Sequence, residues 1–334
     1  SGSSAFIPPI KGLEKTPYIT NREIFYLDHL PKSMIILGAG PIGVEMSQAF
    51  NRLGTVVTVV DMAPQILPKD DQDLTDAVME TLSSEGVKFY LNHSIEAVND
   101  LGNQRKITIK HKDGSTVSLV ADTLLVALGR IANVEELGLE AIGVEHDRRG
   151  IKVDQRMRTN HKHIYAVGDV NGGFQFTHTA GYEGGIVVSN AIFHLPRKTD
   201  YSFLPWCTYT DPELASIGMN EGMARKAGIN YTVDTEAFAD NDRSLAAGET
   251  TGKLKMILNE KEKPIGVQIL GPHAGDLLAE YIEVAGSLHR NKGPEVNDEL
   301  PEMILFHRAK RVGHVQQLFQ RIETDAVDFL ETMG

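Results

Sequence analysis

The chain has 334 residues, of which 41% are hydrophobic and 23% are charged, and its formal net charge at pH 7 is −12. This length predicts two or three compact units, and the composition is typical of globular proteins. The negative charge disfavours nucleic acid and anionic membranes as partners, since both would repel it. No apolar run reaches the roughly 20 residues of a membrane span, and the opening residues lack the pattern of a secretion signal, so we expect a cytoplasmic protein without a membrane span.

The first predicted elements form a strand–helix–strand unit. Residues 1–33 contain four prolines and little helical periodicity, which indicates an extended lead-in. The following segment begins with the apolar strand SMIIL and a glycine turn, and it continues with an amphipathic helix from about 41 to 53 and the strand TVVTVVD. This order predicts a βαβ unit of about 30 residues.

A second helix follows this unit. Leu74, Val78 and Leu82 lie at helical spacing, and Asp71 or Asp73 is the expected cap of the helix. These apolar positions predict one buried helix face.

A hairpin and a short strand complete this part of the chain. The segment KITIKHKDGSTVSL alternates around Asp113-Gly114, a turn pair typical of hairpins. The segment ADTLLVALGR reads as a buried strand that ends at a glycine. Further on, KLKMIL and IGVQILG predict a strand pair, AGDLLAEYIEVAGSLHR predicts a helix, and apolar residues from Val312 onward predict another.

The glycine turn has the spacing of a dinucleotide-binding fingerprint. Gly38 permits the tight turn, Gly40 lets the backbone approach a diphosphate, and Gly43 lets the helix pack closely on the strand. Pro41 and Ile42 lie between them, where the start of the helix faces the anion. We therefore predict a nucleotide site at these residues.

Acidic residues near the turn indicate which nucleotide binds. Asp61 ends the second strand about 20 residues after the fingerprint, where a carboxylate can bind the adenosine ribose hydroxyls. Met62 and Ala63 follow it, with no arginine to receive a 2′-phosphate, which favours NAD over NADP. Glu45 is expected in the first turn of the helix, where the dipole favours a carboxylate. The alternative is a glycine turn used only for packing, with Asp61 a solvated strand end.

Several motifs carry a resemblance to a known family. They are GAGPIGVE at 38–45, LLVALGR at 124–130, TNHKHIYAVGDV at 159–170, THTAGYEG at 177–184 and TDPELASIG at 210–218. In this order they resemble the pyridine nucleotide-disulfide oxidoreductases, the flavoenzyme family of dihydrolipoamide dehydrogenase, glutathione reductase and mercuric reductase. The resemblance extends to about residue 285 and is greatest for the dihydrolipoamide dehydrogenase and mercuric reductase-like members.

The resemblance implies roles for individual residues. It places Glu45 near the nicotinamide of NAD and Asp169 at the ribityl and phosphate part of FAD. His178 would either face the flavin or cap a helix. The further cofactor-binding residues that it implies are Gly129, Gly168 and Ala180.

The resemblance also implies an α/β fold with four parts. Residues 1–33 would be the end of an FAD domain, 34–130 a Rossmann-like doubly wound NAD-binding domain, and 131–200 a central segment of the FAD domain. Residues 201–334 would form an α+β dimerisation domain, so that the protein is a homodimer.

The sequence departs from the family pattern at both ends. The family's first glycine fingerprint, its redox cysteine pair and the lysine that pairs with the motif glutamate are not found in this sequence. The only cysteine, Cys207, lies in an apolar strand and is predicted to be a buried small residue. The segment ELPEMILFHRAKRVGHVQQ lacks the family's catalytic histidine pattern, so His307 and His314 receive no role. The other histidines are interpreted as surface or packing residues, and no metal site is predicted.

These departures leave three functional hypotheses. The first is an NAD-linked flavoprotein disulfide oxidoreductase of dihydrolipoamide dehydrogenase type, present as a fragment that binds FAD poorly and does not reduce disulfides alone. The second is a naturally short NAD-binding module or assembly subunit. The third is a flavin-independent, NAD-dependent dehydrogenase.

Overall fold

The computed structural model describes residues 1–279 and 281, and it divides into two compact units. The first unit comprises Ser1–Pro68 and Met79–Tyr201, and the second comprises Lys69–Val78 and the described residues from Ser202 onward. The helix predicted from Val312 and the unassigned His307 and His314 lie outside the described residues. The four-part domain assignment made from the sequence stays a prediction.

The first unit contains short strands and longer helices. Its strands are β1 (Ser3–Ala5), β2 (Ser33–Leu37), β3 (Val56–Val60), β4 (Lys88–Tyr90), β5 (His93–Asp100), β6 (Arg105–His111), β7 (Thr116–Ala121), β8 (Thr123–Val126), β9 (Arg130–Ala132), β10 (His146–Asp147) and β11 (Gly150–Ile151). Its helices are α1 (Pro41–Arg52), α2 (Gln72–Ser84), whose residues up to Val78 belong to the second unit, and α3 (Thr177–Ala191).

A four-stranded parallel sheet supports the predicted βαβ unit. Its strand order is β4-β3-β2-β8, and all three pairings are parallel. Strand β2 is central and apolar throughout its buried part, as expected for a parallel sheet that is covered on both faces. The lead-in also contacts this sheet, because Ile19 pairs with Leu125 of β8. The predicted doubly wound arrangement is therefore confirmed.

A hydrophobic core lies between this sheet and a three-stranded antiparallel sheet, β5-β6-β7. Ile35, Leu37 and Val126 of the parallel sheet pack with Ile107 and Ile109 of β6. Burial of such branched side chains is the main stabilising contribution of this layer.

The predicted hairpin joins β6 and β7. The N–H of His111 donates to Ser115 O at 2.9 Å, and Gly114 has a φ of +93° that favours glycine. The turn at Asp113-Gly114 is therefore confirmed.

The second unit contains a five-stranded antiparallel sheet of order β12-β13-β16-β15-β14. The strands are β12 (Pro205–Thr208), β13 (Glu213–Gly218), β14 (Tyr231–Ala237), β15 (Lys253–Asn259) and β16 (Pro264–Gly271), and the helices are α4 (Glu221–Lys226) and α5 (Asp242–Ala247). Residues 274–279 are helical at the start of the predicted helix. Cys207 of β12 is partly buried and packs against the apolar core of this unit, in agreement with its predicted packing role.

Polar residues occupy one line across this sheet. Trp206 of β12 pairs with Ser216 of β13, Ser216 pairs with Gln268 of β16, and Gln268 pairs with Lys255 of β15. Ser216, Gln268 and Lys255 are almost fully buried. We refer to these four residues as the polar row.

The side chain of the expected cap of α2 binds a different helix. The apolar face of α2 is buried as predicted at Leu74, Val78 and Leu82. The carboxylate of Asp71, however, accepts from the N–H groups of Glu221 and Gly222 at the start of α4, at 3.1 and 3.2 Å. Asp73 lies inside α2 and pairs with lysines of β15, so it is not the cap. Asp71 directly precedes α2, and its backbone carbonyl accepts from the N–H groups of Leu74 and Thr75 at 3.1 Å, so Asp71 holds the predicted cap position while its carboxylate binds α4.

Candidate functional site

The glycine turn lies at the carboxyl ends of β2 and β8. These two strands are neighbours in the sheet, and the chain leaves β2 toward β3 on the opposite side, so the turn is at the point where the strand order reverses. Ligands of open α/β sheets collect in the crevice at such a point. The N–H of Ala127 donates to Leu37 O at 2.8 Å and fixes the two strand ends beside each other.

The three glycines of the turn differ in what surrounds them. A Cβ at Gly38, whose φ is +110°, would lie 2.3 Å from Ala127 O, and a Cβ at Gly43 would lie 1.9 Å from Gly38 O. Both positions therefore require glycine for close backbone packing. A Cβ at Gly40 would meet nothing within 4 Å. The turn is thus tightly packed at Gly38 and Gly43 and open at Gly40.

Helix α1 begins at this opening. Gly40 is the N-cap, Pro41 is the first helical residue, and no side chain caps this end. Ile42 is half-buried beside it. Proline suits the first position because its missing N–H would have no partner there. The uncapped first turn leaves backbone N–H groups and the positive end of the helix dipole for an anion.

Glu45 lies just beyond the first turn of α1. Because α1 starts at Pro41, Glu45 is its fifth residue, and the first turn contains no acidic residue. The expectation that it occupies the first turn is therefore wrong. Its side chain is half-buried and has an interaction partner within the chain.

Asp61 follows β3 and is held by backbone groups. Its Oδ2 accepts from the N–H of Ala39 in the glycine turn at 2.6 Å, and its Oδ1 accepts from the N–H of Ala63 at 2.7 Å. The carboxylate is therefore fixed beside the turn. Since each carboxylate oxygen has a further lone pair, it can still accept from ribose hydroxyls.

A second carboxylate, Asp169, is held by side chains. It lies in the 3-10 turn Gly168–Asn171, and the Ser3 hydroxyl donates to its Oδ2. Arg130 Nε donates to Ser3 Oγ at 2.7 Å and lies 3.7 Å from Asp169 Oδ2. Strands β1 and β9 pair antiparallel and bring Ser3 and Arg130 together.

Glu183 of α3 anchors the turn that carries Asp169. Its buried carboxylate accepts from the N–H of Gly168 at 2.6 Å, from Asn171 Nδ2 at 2.8 Å and from Tyr201 Oη at 2.7 Å. The pKa of Tyr201 is raised, mainly because its hydroxyl is partly buried and also because it donates to Glu183. A buried carboxylate with three donors is a stable anchor for a short turn.

The other predicted residues surround this second carboxylate or the end of β8. A Cβ at Gly168 would lie 2.9 Å from the Cβ of Ala180, so the turn packs directly on α3. His178 is exposed, lies inside α3 after the N-cap Phe176, and stacks on that ring. It therefore does not cap the helix. Gly129 follows β8 with a φ of +112° and open space at its Cβ position.

Ser3, Arg130 and Glu183 were missed by the sequence reasoning. Arg130 ends the motif LLVALGR and Glu183 belongs to THTAGYEG, so both lie in segments that had been noticed. Their partners are 127 and 15 residues away along the chain, and no local spacing indicates such pairs.

The second unit contains a carboxylate cluster with a lysine at its centre. Oxygens of Asp71, Asp73 and Glu221 lie within 4.8 Å of one another, a spacing that could suit a metal ion. The Lys255 ammonium already contacts all three, at 3.0, 2.8 and 2.5 Å, and its side chain is only 2% exposed. We call these four residues the lysine cluster. The lysine supplies the cation that the carboxylates need.

Comparison with known proteins identifies the family. Residues 1–184 match the model of the pyridine nucleotide-disulphide oxidoreductase family, and residues 204–288 match the dimerisation domain of that family. A mercuric reductase of Lysinibacillus sphaericus is 34% identical over 280 residues, which is 83% of this chain. The chain belongs to the pyridine nucleotide-disulphide oxidoreductase family.

Other members of the family agree with this assignment. Dihydrolipoyl dehydrogenase of Bacillus subtilis is 32% identical over 84% of the chain and 60% of its own length. The HOCl-induced flavoprotein disulfide reductase RclA of Escherichia coli superposes with a TM-score of 0.78 at 30% identity, over 90% of this chain and 69% of RclA. The chain spans about half the length of the mercuric reductases, 51% in the first case.

The family assignment confirms the resemblance and the mixed α/β fold with nucleotide-binding and dimerisation parts. The members of the family are oxidoreductases. In the part of the chain that the structure describes, no helix is long and apolar enough to cross a membrane.

Proposed function

We propose that the chain binds NAD at the turn after β2 and forms part of an NAD-linked flavoprotein disulfide oxidoreductase of dihydrolipoamide dehydrogenase type. The observation that carries the proposal is the pairing of an open Gly40 with the fixed Asp61 carboxylate at the start of α1. Helix N–H groups suit the diphosphate, and the carboxylate suits the ribose hydroxyls. Gly38, Pro41, Ile42 and Gly43 shape this site, and Glu45 lies further along the helix toward the nicotinamide end.

Discrimination between NAD and NADP follows from charge. A 2′-phosphate placed at Asp61 would meet a carboxylate that cannot move away, since both of its oxygens hold backbone N–H groups. Like charges at this separation repel, and neither Met62 nor Ala63 offers a cation. NAD is therefore the proposed nucleotide.

Calorimetric titration of the chain with NADH and NADPH tests this assignment. We expect one NADH per chain and at least tenfold weaker NADPH binding, a difference of about 1.4 kcal/mol. Asp61→Asn should weaken NADH binding and reduce the difference in affinity between NADH and NADPH. Asp147→Asn is the matched control, because Asp147 Oδ1 also accepts from the N–H two residues further along at 2.7 Å, but at the end of β10, away from the glycine turn in the sequence. No heat with either nucleotide would contradict the proposal.

Asp169 is proposed to contact the ribityl and phosphate part of FAD, near Gly168, His178, Ala180 and Gly129. The described residues fit one side of such a group: a carboxylate fixed by Ser3 and Arg130, and the uncapped start of α3. FAD, where bound, would supply a carrier that takes a hydride from the nicotinamide and passes the electron pair to a disulfide, which becomes a dithiol. The contribution of these residues would be to hold the ribityl chain in place.

The absorption spectrum of the purified chain separates the remaining hypotheses. We propose that this chain alone holds FAD poorly and, with one cysteine, does not reduce disulfides. A colourless protein that binds NADH without turnover of lipoamide would favour the NAD-binding module. A yellow protein would show that flavin is held, and steady NADH oxidation by colourless protein would favour the flavin-independent dehydrogenase.

We also propose that the protein is a homodimer, which the match of residues 204–288 to the dimerisation domain supports. Light scattering after gel filtration should give twice the chain mass of 36.7 kDa. A monomer at micromolar concentration would contradict it. The cytoplasmic location stays a prediction from the sequence.

A further inference from the structure

Two histidines that the sequence reasoning left among surface residues face each other across β5 and β6. His93 and His111 are directly paired in the antiparallel register. Their ring centroids lie 4.8 Å apart with planes tilted by 49°. Both side chains are half-buried and reachable from solvent. Paired positions on neighbouring strands bring side chains within about 5 Å of each other at Cβ, which suits a shared ligand.

The Nδ1 atom of each ring contacts an oxygen. His93 Nδ1 lies 2.6 Å from Leu91 O, and a carbonyl oxygen can only accept, so this nitrogen carries the proton. The Nε2 of a neutral His93 is then a lone-pair donor. Metal-binding histidines commonly have this arrangement, in which a carbonyl or carboxylate accepts from the second ring nitrogen.

His111 shows the carboxylate version of the same arrangement. Its Nδ1 lies 2.9 Å from Asp113 Oδ2, a charge-assisted contact, whereas the N–H of Asp113 is 3.3 Å from that nitrogen. An ionised carboxylate only accepts, so the shorter contact places the proton on Nδ1. Within residues 1–279 and 281, neither Nε2 has a hydrogen-bond partner, so both lone pairs are available.

The separation of the rings fits two adjacent positions around one metal ion. With metal–nitrogen bonds of about 2.0–2.1 Å, each ring centre lies about 3.2 Å from the metal, and rings 4.8 Å apart then subtend about 100°. This angle is close to that of tetrahedral or square-planar neighbours. The remaining positions would be filled by water.

We propose that His93 and His111 form a two-imidazole site for a late first-row divalent metal ion, with Asp113 and Leu91 O orienting the rings. Imidazole ligands suit Cu²⁺, Ni²⁺ and Zn²⁺, and the general affinity order places Cu²⁺ highest. Ca²⁺ and Mg²⁺, which take oxygen ligands, should not bind. The site is distinct from the lysine cluster, where a lysine already neutralises the carboxylates.

Another histidine pair in the chain provides a matched control. His161 and His163 have ring centroids 6.2 Å apart, and His161 Nε2 lies 3.2 Å from Gly143 O. This pair has the same residue types at a wider separation, and one Nε2 already has an oxygen partner. Its replacement should leave metal binding unchanged.

Titration of the EDTA-treated full chain with ZnCl2, followed by calorimetry, tests the site. His93→Gln and His111→Gln should each weaken the tightest Zn²⁺ equivalent at least tenfold, whereas the double variant H161Q/H163Q should retain it. Asp113→Asn should weaken it by about tenfold, the usual effect of losing a residue that orients a ligand. With CuCl2, electron paramagnetic resonance should show splitting from two imidazole nitrogens, lost in either single variant.

Two results would overturn the proposal: no Zn²⁺ or Cu²⁺ binding by the chain, or tight binding that survives in both H93Q and H111Q. Circular dichroism of the variants checks that they are folded, and D113N gives a second readout that removes neither ligand. NADH binding, measured separately, reports on the glycine turn and not on this pair.

Discussion

The glycine turn of the first unit and the lysine cluster of the second both place carboxylate oxygens and backbone N–H groups close together. In the turn, Asp61 is held by Ala39 and Ala63, and the space at Gly40 stays open. In the cluster, Lys255 fills the centre between three carboxylates. The residue types alone do not distinguish a binding site from an internal support. What distinguishes them is whether the protein itself supplies the opposite charge.

The largest effect should come from removing the lysine at the centre of the cluster. Lys255→Met leaves the carboxylates of Asp71, Asp73 and Glu221 without their shared cation, and loss of one partner of a buried pair costs about 3–5 kcal/mol. Trp206 is the only tryptophan and lies in the second unit, so its fluorescence during urea unfolding reports on that unit.

Lys253→Met is the control for this experiment. Lys253 pairs with Asp73 at 2.6 Å, but the two side chains are 30% and 43% exposed. Exposed pairs contribute less than about 1 kcal/mol. Equal losses from both lysine variants would show that the cluster is not a buried support.

Alanine at two glycines of the turn should separate packing from binding. Gly43→Ala places a methyl group 1.9 Å from Gly38 O, which should lower the free energy of unfolding by about 1–3 kcal/mol or more and abolish NADH binding. Gly40→Ala has open space and an ordinary φ of −76°, so stability should change by less than about 1 kcal/mol.

The decisive readout is NADH affinity of the stable variant. Because the methyl group at residue 40 would lie where the diphosphate approaches, we expect at least tenfold weaker binding by calorimetry. Unchanged affinity in Gly40→Ala would mean that the open space is not the nucleotide site.

The smallest expected effect is a difference in acid sensitivity. The hydrogen bond from Lys255 lowers the pKa of Glu221 below its ordinary 4.5, outweighing the opposite effect of burial. At a pH between the ordinary pKa and the lowered pKa of Glu221, the unfolded chain binds more protons than the folded chain. The stabilising contribution of Glu221 is therefore fully present above pH 4.5 and is lost as the pH falls through the pKa of the folded state.

Glu221→Gln should therefore lose less stability between neutral and acidic pH than the unaltered chain, by less than about 1 kcal/mol. Urea midpoints from Trp206 fluorescence at several pH values measure this. If the variant lost more stability than the unaltered chain as the pH falls, Glu221 would have the opposite effect on acid sensitivity.

Local patterns explain why much of the fold could be predicted from the sequence. The βαβ unit, α2 and the Asp113-Gly114 hairpin each depend on periodicity or turn residues within a few positions. The geometry of Gly38 and Gly43 also follows from the spacing of the turn. The start of α1 near residue 41 was also predicted, but Glu45 is the fifth residue of the helix and lies beyond the first turn, where it was expected.

Arrangements that join distant segments could not be predicted in this way. Asp169 is fixed by Ser3 and Arg130, and the carboxylate of Asp71 binds the start of α4, because the fold brings these residues together from far apart in the chain. The pairing of His93 and His111 likewise depends on strand register. Turn residues predict that two strands form a hairpin. They do not predict the register of the next strand pair, and therefore not which side chains face each other across it.

The polar row of the second unit disfavours a one-residue shift between its strands. A shift of β15 by one residue against β16 would turn Lys255 to the opposite face and leave three carboxylates facing an apolar strand. A register shift of this kind during folding would therefore have an electrostatic cost as soon as β15 pairs with β16. The charges of the lysine cluster thus favour the native register of the five-stranded sheet.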